Sequence, residues 1–229
     1  MTKIIACGDS FLTPDRRYPG GHFTELLAEK YGYEVINLAR GGISNIGIGF
    51  QMELAISLNP NIIILAPTGS DRMQVPVGKF NPSLGLKNIR YTDFYSATCG
   101  SVYVGTEDSA IVDDVVYTIA NDCDWTVDDR GQKYKLSPEK KEAVKYYITH
   151  LRDEELQKVT DRWIIDYWTM QARTVGIRII FLSEIMDRFY IQYNTSWDDI
   201  GVNIDTIFHA NLDSQKLIVE VADKIIKNN

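Results

Sequence analysis

The chain has 229 residues, 45% hydrophobic and 24% charged, with a net charge of −7 and three cysteines. That composition belongs to a folded globular protein and excludes a disordered, collagen-like or disulfide-built chain. The acidic balance argues against a nucleic-acid partner, since phosphate binding needs clustered Lys and Arg, and the one basic run, PEKKEAVK, carries its own glutamates.

The first element is the apolar run KIIAC at 3–7, which drops straight into Gly8-Asp9-Ser10. Its β-branched, continuous character predicts a strand covered on both faces. Cys7 lies inside it and reads as a small core residue. The run is too short for a signal peptide, and no stretch approaches the ~20 apolar residues of a membrane helix, so a cytoplasmic protein is expected. The segment 21–32, GHFTELLAEKYG, has helical spacing and stops at Gly32. A second strand is predicted at 33–39, followed by Arg40-Gly41-Gly42-Ile43-Ser44-Asn45. A helix over 44–60 starts at Ser44 as its cap and ends before Pro60. The third strand, NIIILA at 61–66, runs into Pro67-Thr68-Gly69-Ser70-Asp71. This β-α-β-α-β order implies right-handed crossovers and an open α/β sheet.

Residues 72–136 break the order. They are rich in Tyr, Asp, Gly and Ser, and pieces such as SVYVG and DVVYTIA resemble short strands. A segment this long is not a simple loop and reads as an insertion. Helix returns over 137–176, with Ser137 as cap, Pro138 at the first helical position, a break near Leu151–Glu155 and a stop at Gly176. The Trp and Tyr residues of DRWIIDYWTM fall at helical spacing and are expected in the core. A fourth strand is predicted at 177–182, and an amphipathic helix at 213–226 closes the chain. The whole reads as a single domain over 1–229 with an inserted subregion at 72–136.

In an open α/β sheet, ligands bind beyond the carboxyl ends of the strands. Gly-Asp-Ser alone says little, but here it follows the first strand. His209, one of three histidines, lies in a late loop just before the last helix. His22 and His150 sit in helical patterns and are expected to be packing or surface residues. A serine hydroxyl needs a base, a neutral imidazole suits that task, and backbone N–H groups in glycine-bearing loops can hold an oxyanion. Other catalytic patterns fail. No G-x-S-x-G elbow is present, no Lys completes a P-loop, and no His, Cys and carboxylate cluster has metal-ligand spacing.

The chain resembles the SGNH (GDSL-type) hydrolases, esterases and deacylases of flavodoxin-like fold. The resemblance rests on four blocks in order: Gly8-Asp9-Ser10; NLARGGISN; TGSD at 68–71; and Asp205 with His209. It implies a three-layer α/β sandwich with a central parallel sheet. It makes Ser10 the nucleophile and an oxyanion donor, His209 the base and Asp205 its orienting acid. Gly42, with Gly41 as the near alternative, would supply a second oxyanion N–H. In the third block the family reads Gly-x-Asn-Asp, whereas this chain has Thr68 and Ser70; Ser70 would be a hydroxyl donor. In the fourth block, one residue too many separates Asp205 from His209, so the alternatives are Asp198 or Asp199 as the acid, or a Ser–His dyad without one. Asp9 belongs to the first block, and Arg40 and Arg72 lie beside the site as candidate binders of an anionic substrate group.

The reading is therefore a serine-dependent ester hydrolase or deacylase acting on a small-molecule ester or an acylated carbohydrate, with no cofactor or metal. The competing expectations are an acyltransferase and a binding or structural protein, virion-associated in one version, that keeps the fold with an eroded site.

Overall fold

The computed structural model describes residues 1–14, 18–39, 43–70, 72–76, 94–99, 109–112, 115–120, 139, 143, 146–147, 150–183, 195–196 and 210–228. Strands β1 (Lys3–Gly8), β2 (Glu34–Asn37), β3 (Ile62–Ala66), β8 (Arg178–Ser183) and the short β9 (Thr195–Ser196) form one parallel sheet in the order β2-β1-β3-β8-β9. Counting only these strands, the order is the flavodoxin-like 2-1-3-4-5. The register pairs Ile5 with Ile36 on one side and with Ile63 on the other, and Ile63 with Ile179.

Alternation along the strands builds two cores. Ile4, Ala6, Ile62, Ile64, Ile180 and Leu182 face helices α1 (Phe23–Tyr31) and α4 (Leu212–Lys227), where Phe23, Leu27, Ile218 and Ala222 meet them. Ile5, Cys7, Ile63, Leu65, Ile179 and Phe181 face the other way, onto Ile48, Met52 and Ala55 of α2 (Asn45–Ser57) and Ile165 and Ala172 of α3 (Glu154–Thr174). Burial of each large aliphatic side chain contributes about 1.5–3 kcal/mol. This double coverage explains why the strands read as continuous apolar runs.

The helix ends follow local chemistry. His22 caps α1 in a reciprocal box with Glu25, and Gly32 ends it in the left-handed region at φ 68°. Asp153 caps α3 by accepting from the Leu156 N–H. The turn before it, where the Leu151 and Arg152 N–H groups both reach the Tyr147 carbonyl, is the break expected near Leu151–Glu155. Asn211 caps α4 by accepting from Ser214 N–H at 2.9 Å. Ser44 stands at the cap position of α2 but makes no capping bond, and its hydroxyl is buried without a partner.

A second sheet, antiparallel, has the order β4-β5-β7-β6, from β4 (Arg72–Pro76), β5 (Phe94–Cys99), β6 (Ser109–Val112) and β7 (Val115–Ala120). It falls within the expected insertion, and β7 coincides with DVVYTIA; SVYVG and the cap Ser137 lie outside the described residues. One expectation is corrected. Trp163 and Tyr167 are 66% and 51% exposed rather than core, because Asp161, Ile165, Thr169 and Ala172 take the inward face of α3. No helix among the described residues is long and apolar enough to cross a membrane.

Candidate active site

The site is assembled at the carboxyl ends of β1 and β3, the point where the connections leave the sheet toward opposite faces. Gly8 ends β1 opposite Ala66. A Cβ there would lie 2.8 Å from Leu12 Cδ1 and 2.9 Å from the Ala66 carbonyl oxygen, so only glycine lets the two strand ends lie this close. Beyond the end of β2, the side chain of Gln51 serves Gly8 in place of a strand. The Gly8 N–H donates to Gln51 Oε1 at 2.6 Å, and Gln51 Nε2 donates to the Gly8 carbonyl at 3.0 Å.

Ser10 sits two residues further, half-buried, in a tight turn. Leu12 N–H donates to the Asp9 carbonyl at 3.2 Å, and Thr13 N–H to the Ser10 carbonyl at 3.3 Å. Among the described residues nothing accepts the Ser10 N–H and nothing bonds its hydroxyl. The neighbouring Asp9 is the opposite case. Its carboxylate is buried and accepts from Phe11 N–H at 3.0 Å, Thr68 Oγ1 at 2.8 Å and Arg72 Nη1 at 2.8 Å. Asp9 thus ties the Ser10 turn to the loop after β3 and to the first residue of the second sheet. The Arg72 guanidinium is buried against it, so the two charges neutralise one another in place.

The loop after β3 is held equally firmly. Asn45, the first residue of α2, clasps Thr68 by accepting its N–H at 3.0 Å and donating to its carbonyl at 2.8 Å. The same amide donates to Asp161 Oδ2 at 3.1 Å, and Gln157 Nε2 donates to Asp161 Oδ1 at 2.7 Å. Arg152 Nη2 donates to the Ser70 carbonyl at 2.9 Å, which sets Ser70 beside this cluster. Burial raises the Asp161 pKa above the usual carboxylate range, and the bonds from Asn45 and Gln157, with Ser70 and the Arg152 charge beside them, oppose that rise.

On the other face, a line of contacts runs from the residue after Ser10 to the residue after His209. His22 Nε2 lies 3.4 Å from the Phe11 carbonyl. The next residue, Phe23, donates its N–H to Gln215 Oε1 at 2.9 Å, and Gln215 Nε2 donates to the Ala210 carbonyl at 3.4 Å. Asn37 at the end of β2 adds a bond to the Leu12 carbonyl at 2.6 Å. His22 is therefore a buried packing residue, as its helical pattern suggested, whereas His150 is exposed beside Tyr146, their rings 4.6 Å apart.

Of the residues singled out from the sequence, Ser10, Asp9, Ser70 and Arg72 converge on this rim. Arg40, Gly41, Gly42, Asp198, Asp199, Asp205 and His209 lie outside the described residues. Sequence reasoning passed over Gln51, Arg152 and Asp161. Asp161 carried a readable signal: it shares the spacing of Ile165, Thr169 and Ala172, a charged residue on a helix's buried stripe. Asn45 stood in the quoted second block without an assigned task. Among the described residues no group of His, Cys, Asp and Glu is placed to hold a metal ion. Burial pushes the Cys7 thiol far up, which leaves it a packing residue.

No protein-family model matches the chain, and no curated protein matches its sequence. Solved structures do match over nearly its whole length. TesA is 11% identical with a TM-score of 0.50, the match covering 99% of this chain and 98% of TesA. The psychrotrophic esterase EstA from Pseudoalteromonas sp., solved inhibited by monoethylphosphonate, is 10% identical with a TM-score of 0.49, covering 99% and 97%. A protein of the G-D-S-L lipolytic family from Desulfitobacterium hafniense is 10% identical with a TM-score of 0.49, covering 98% and 99%. At this identity the likeness is one of fold: the chain has the α/β architecture of the SGNH type, a parallel sheet flanked by helices.

Proposed function

We propose that the protein is a serine-dependent hydrolase of ester bonds, with Ser10 as nucleophile and His209 as base. The observation that carries the reading is the placement of Ser10. It occupies a braced turn at the carboxyl end of the central strand β1, beside the loop after β3, where this sheet topology binds ligands. The contacts from Phe11 through His22, Phe23 and Gln215 to Ala210 support convergence, because they draw the chain next to His209 toward the turn that bears Ser10.

In this reading His209 takes the Ser10 proton as Oγ attacks the ester carbonyl, and then returns it to the departing alcohol. Water repeats the sequence on the acyl-serine. The Ser10 and Gly42 N–H groups, with Gly41 beside them, hold the tetrahedral oxygen, and Asp205 orients the imidazole. Ser70 adds a hydroxyl donor, which must rotate into place, to the two backbone ones. Asp9 and Arg72 brace the turn rather than contact substrate, since each neutralises the other. Arg72, the first residue of the 72–136 subregion, lies at this rim, and the substrate is a small-molecule ester or an acylated carbohydrate.

The engagement of Thr68 with Asp9, and Ser70 standing where the family has Asn, favour the second reading, a binding protein on the same fold. A fluorophosphonate probe separates the two. The hydrolase reading expects labelling that Ser10→Ala abolishes, hydrolysis of a short p-nitrophenyl ester, and a rate that rises with pH through the ordinary histidine pKa of ~6.5. No labelling and no hydrolysis would leave the binding protein.

A further inference from the structure

Helix α3 has two apolar faces. Ile165 and Ala172 pack inward, yet Leu156, Val159, Trp163, Tyr167 and Met170 form a second stripe that faces outward, each 43–66% exposed. The stripe spans about 21 Å of helix at 1.5 Å per residue. A helix that shows large apolar side chains on both faces is usually covered on both.

The pattern of the stripe says by what. Its members stand at −7, −4, 0, +4 and +7 relative to Trp163, so it reads the same in both directions. A two-fold axis at Trp163 sets a second copy antiparallel, with Trp163 on Trp163, Val159 on Tyr167 and Leu156 on Met170. Two-fold symmetry also places one flank of the helix against the same flank of its copy. That flank carries Glu155, Arg162, Asp166 and Arg173, at −8, −1, +3 and +10. Running the copy in reverse brings Glu155 opposite Arg173 and Arg162 opposite Asp166, all four contacts of opposite sign with a stagger of two residues. A parallel two-fold copy would set this flank against the opposite flank of its partner and leave these charges without one another.

We propose that the outward face of α3 is a self-association surface, and that the protein forms an antiparallel two-fold dimer centred on Trp163. The inference is independent of the hydrolase reading. The stripe is small beside the ~800 Å² per partner of a tight complex, which sets the expectation of a concentration-dependent dimer, forming in the range of tens of micromolar.

The test is sedimentation velocity on the full chain across a concentration series. The dimer fraction is expected to rise with concentration and to vanish in Trp163→Glu, with far-UV circular dichroism unchanged, as befits an exposed site. Charge reversal fixes the register. Glu155→Arg and Arg173→Glu are each expected to weaken association several-fold, and the double variant to restore it. The two residues lie about 27 Å apart on one helix and cannot meet within one copy, so rescue reports contact between copies. A monomer at every concentration, a dimer that survives Trp163→Glu, or a double variant weaker than either single would each overturn the proposal.

Discussion

The two helical layers cover one sheet with different chemistry. Helices α1 and α4 are apolar toward the strands and charged toward solvent, where Lys30 approaches Glu220 at 3.8 Å and Lys227 pairs with Asp223 at 2.8 Å. Their contribution to the rim comes from their first residues, His22 and Gln215. On the opposite face α2 is buried along most of its length, and α3 carries a carboxylate inward and aromatic rings outward. The first layer acts chiefly by packing. The second grips both loops of the candidate site through Gln51, Asn45 and Asp161. Position in the stack decides this: a layer that buries polar groups bonds most of them, the Ser44 and Thr169 hydroxyls being the exceptions among the described residues, and those bonds then fix the backbone they reach.

The contrast can be broken at several points. The largest effect is expected at the rim itself. On the hydrolase reading Ser10→Ala should lower ester hydrolysis by about 10⁴-fold or more, as removal of an activated serine does in serine hydrolases, with thermal stability unchanged. A comparable loss from a surface substitution in the α1/α4 layer, such as Lys30→Ala, would place the chemistry elsewhere.

Next in size is the buried pair. Arg72→Met leaves the Asp9 carboxylate without its guanidinium and should cost about 3–5 kcal/mol, read by urea unfolding. The double variant Asp9→Asn with Arg72→Met should recover part of that loss, since no uncompensated charge remains. An Arg72→Met protein as stable as the parent would show that the second sheet does not brace the nucleophile turn.

Smaller again is the comparison of two glutamines, one from each layer. Gln51→Leu strands both the N–H and the carbonyl of Gly8, for about 2–3 kcal/mol. Gln215→Leu removes one short and one long bond and should cost about 1 kcal/mol. Equal losses would erase the distinction drawn between the layers.

The smallest effect is a slope. Asp161 has a folded pKa above its unfolded one, so the native state holds its proton to higher pH. The stability of the parent relative to Asp161→Asn is therefore greatest below the unfolded carboxylate pKa of ~3.9 and falls as pH climbs through the raised value. Urea midpoints of the two proteins across pH give this difference directly; a difference that grows with pH would reverse the assignment.

The sheet was legible because double coverage leaves no room for polar alternation. KIIAC, NIIILA and IRIIFL could be placed within a residue or so of β1, β3 and β8. YEVINLA was shortened to Glu34–Asn37, because its later part leaves the sheet, Leu38 giving one last N–H to Ala6 and Ala39 bonding the Asn37 side chain. Ser44 shows the limit of local rules: its place at the start of α2 was readable, but burial leaves its hydroxyl unbonded. The apolar spacing in DRWIIDYWTM was visible, yet periodicity does not say which of two apolar faces meets the sheet. Asp161 decides that by its bonds to Asn45 and Gln157, partners that lie 116 and 4 residues away. Long-range polar closure of this kind names no partner locally: the position of Asp161 on the buried stripe was marked in the sequence, but its reach to Asn45 was not.

The most direct examination is a crystal structure of the protein after reaction with an organophosphonate ester. A covalent Ser10 Oγ–P bond is expected, with the His209 ring about 3 Å from the phosphonylated oxygen and a phosphonyl oxygen facing the Ser10 N–H. An unmodified Ser10, or an adduct there with His209 well beyond reach, would contradict a serine–histidine site on this rim.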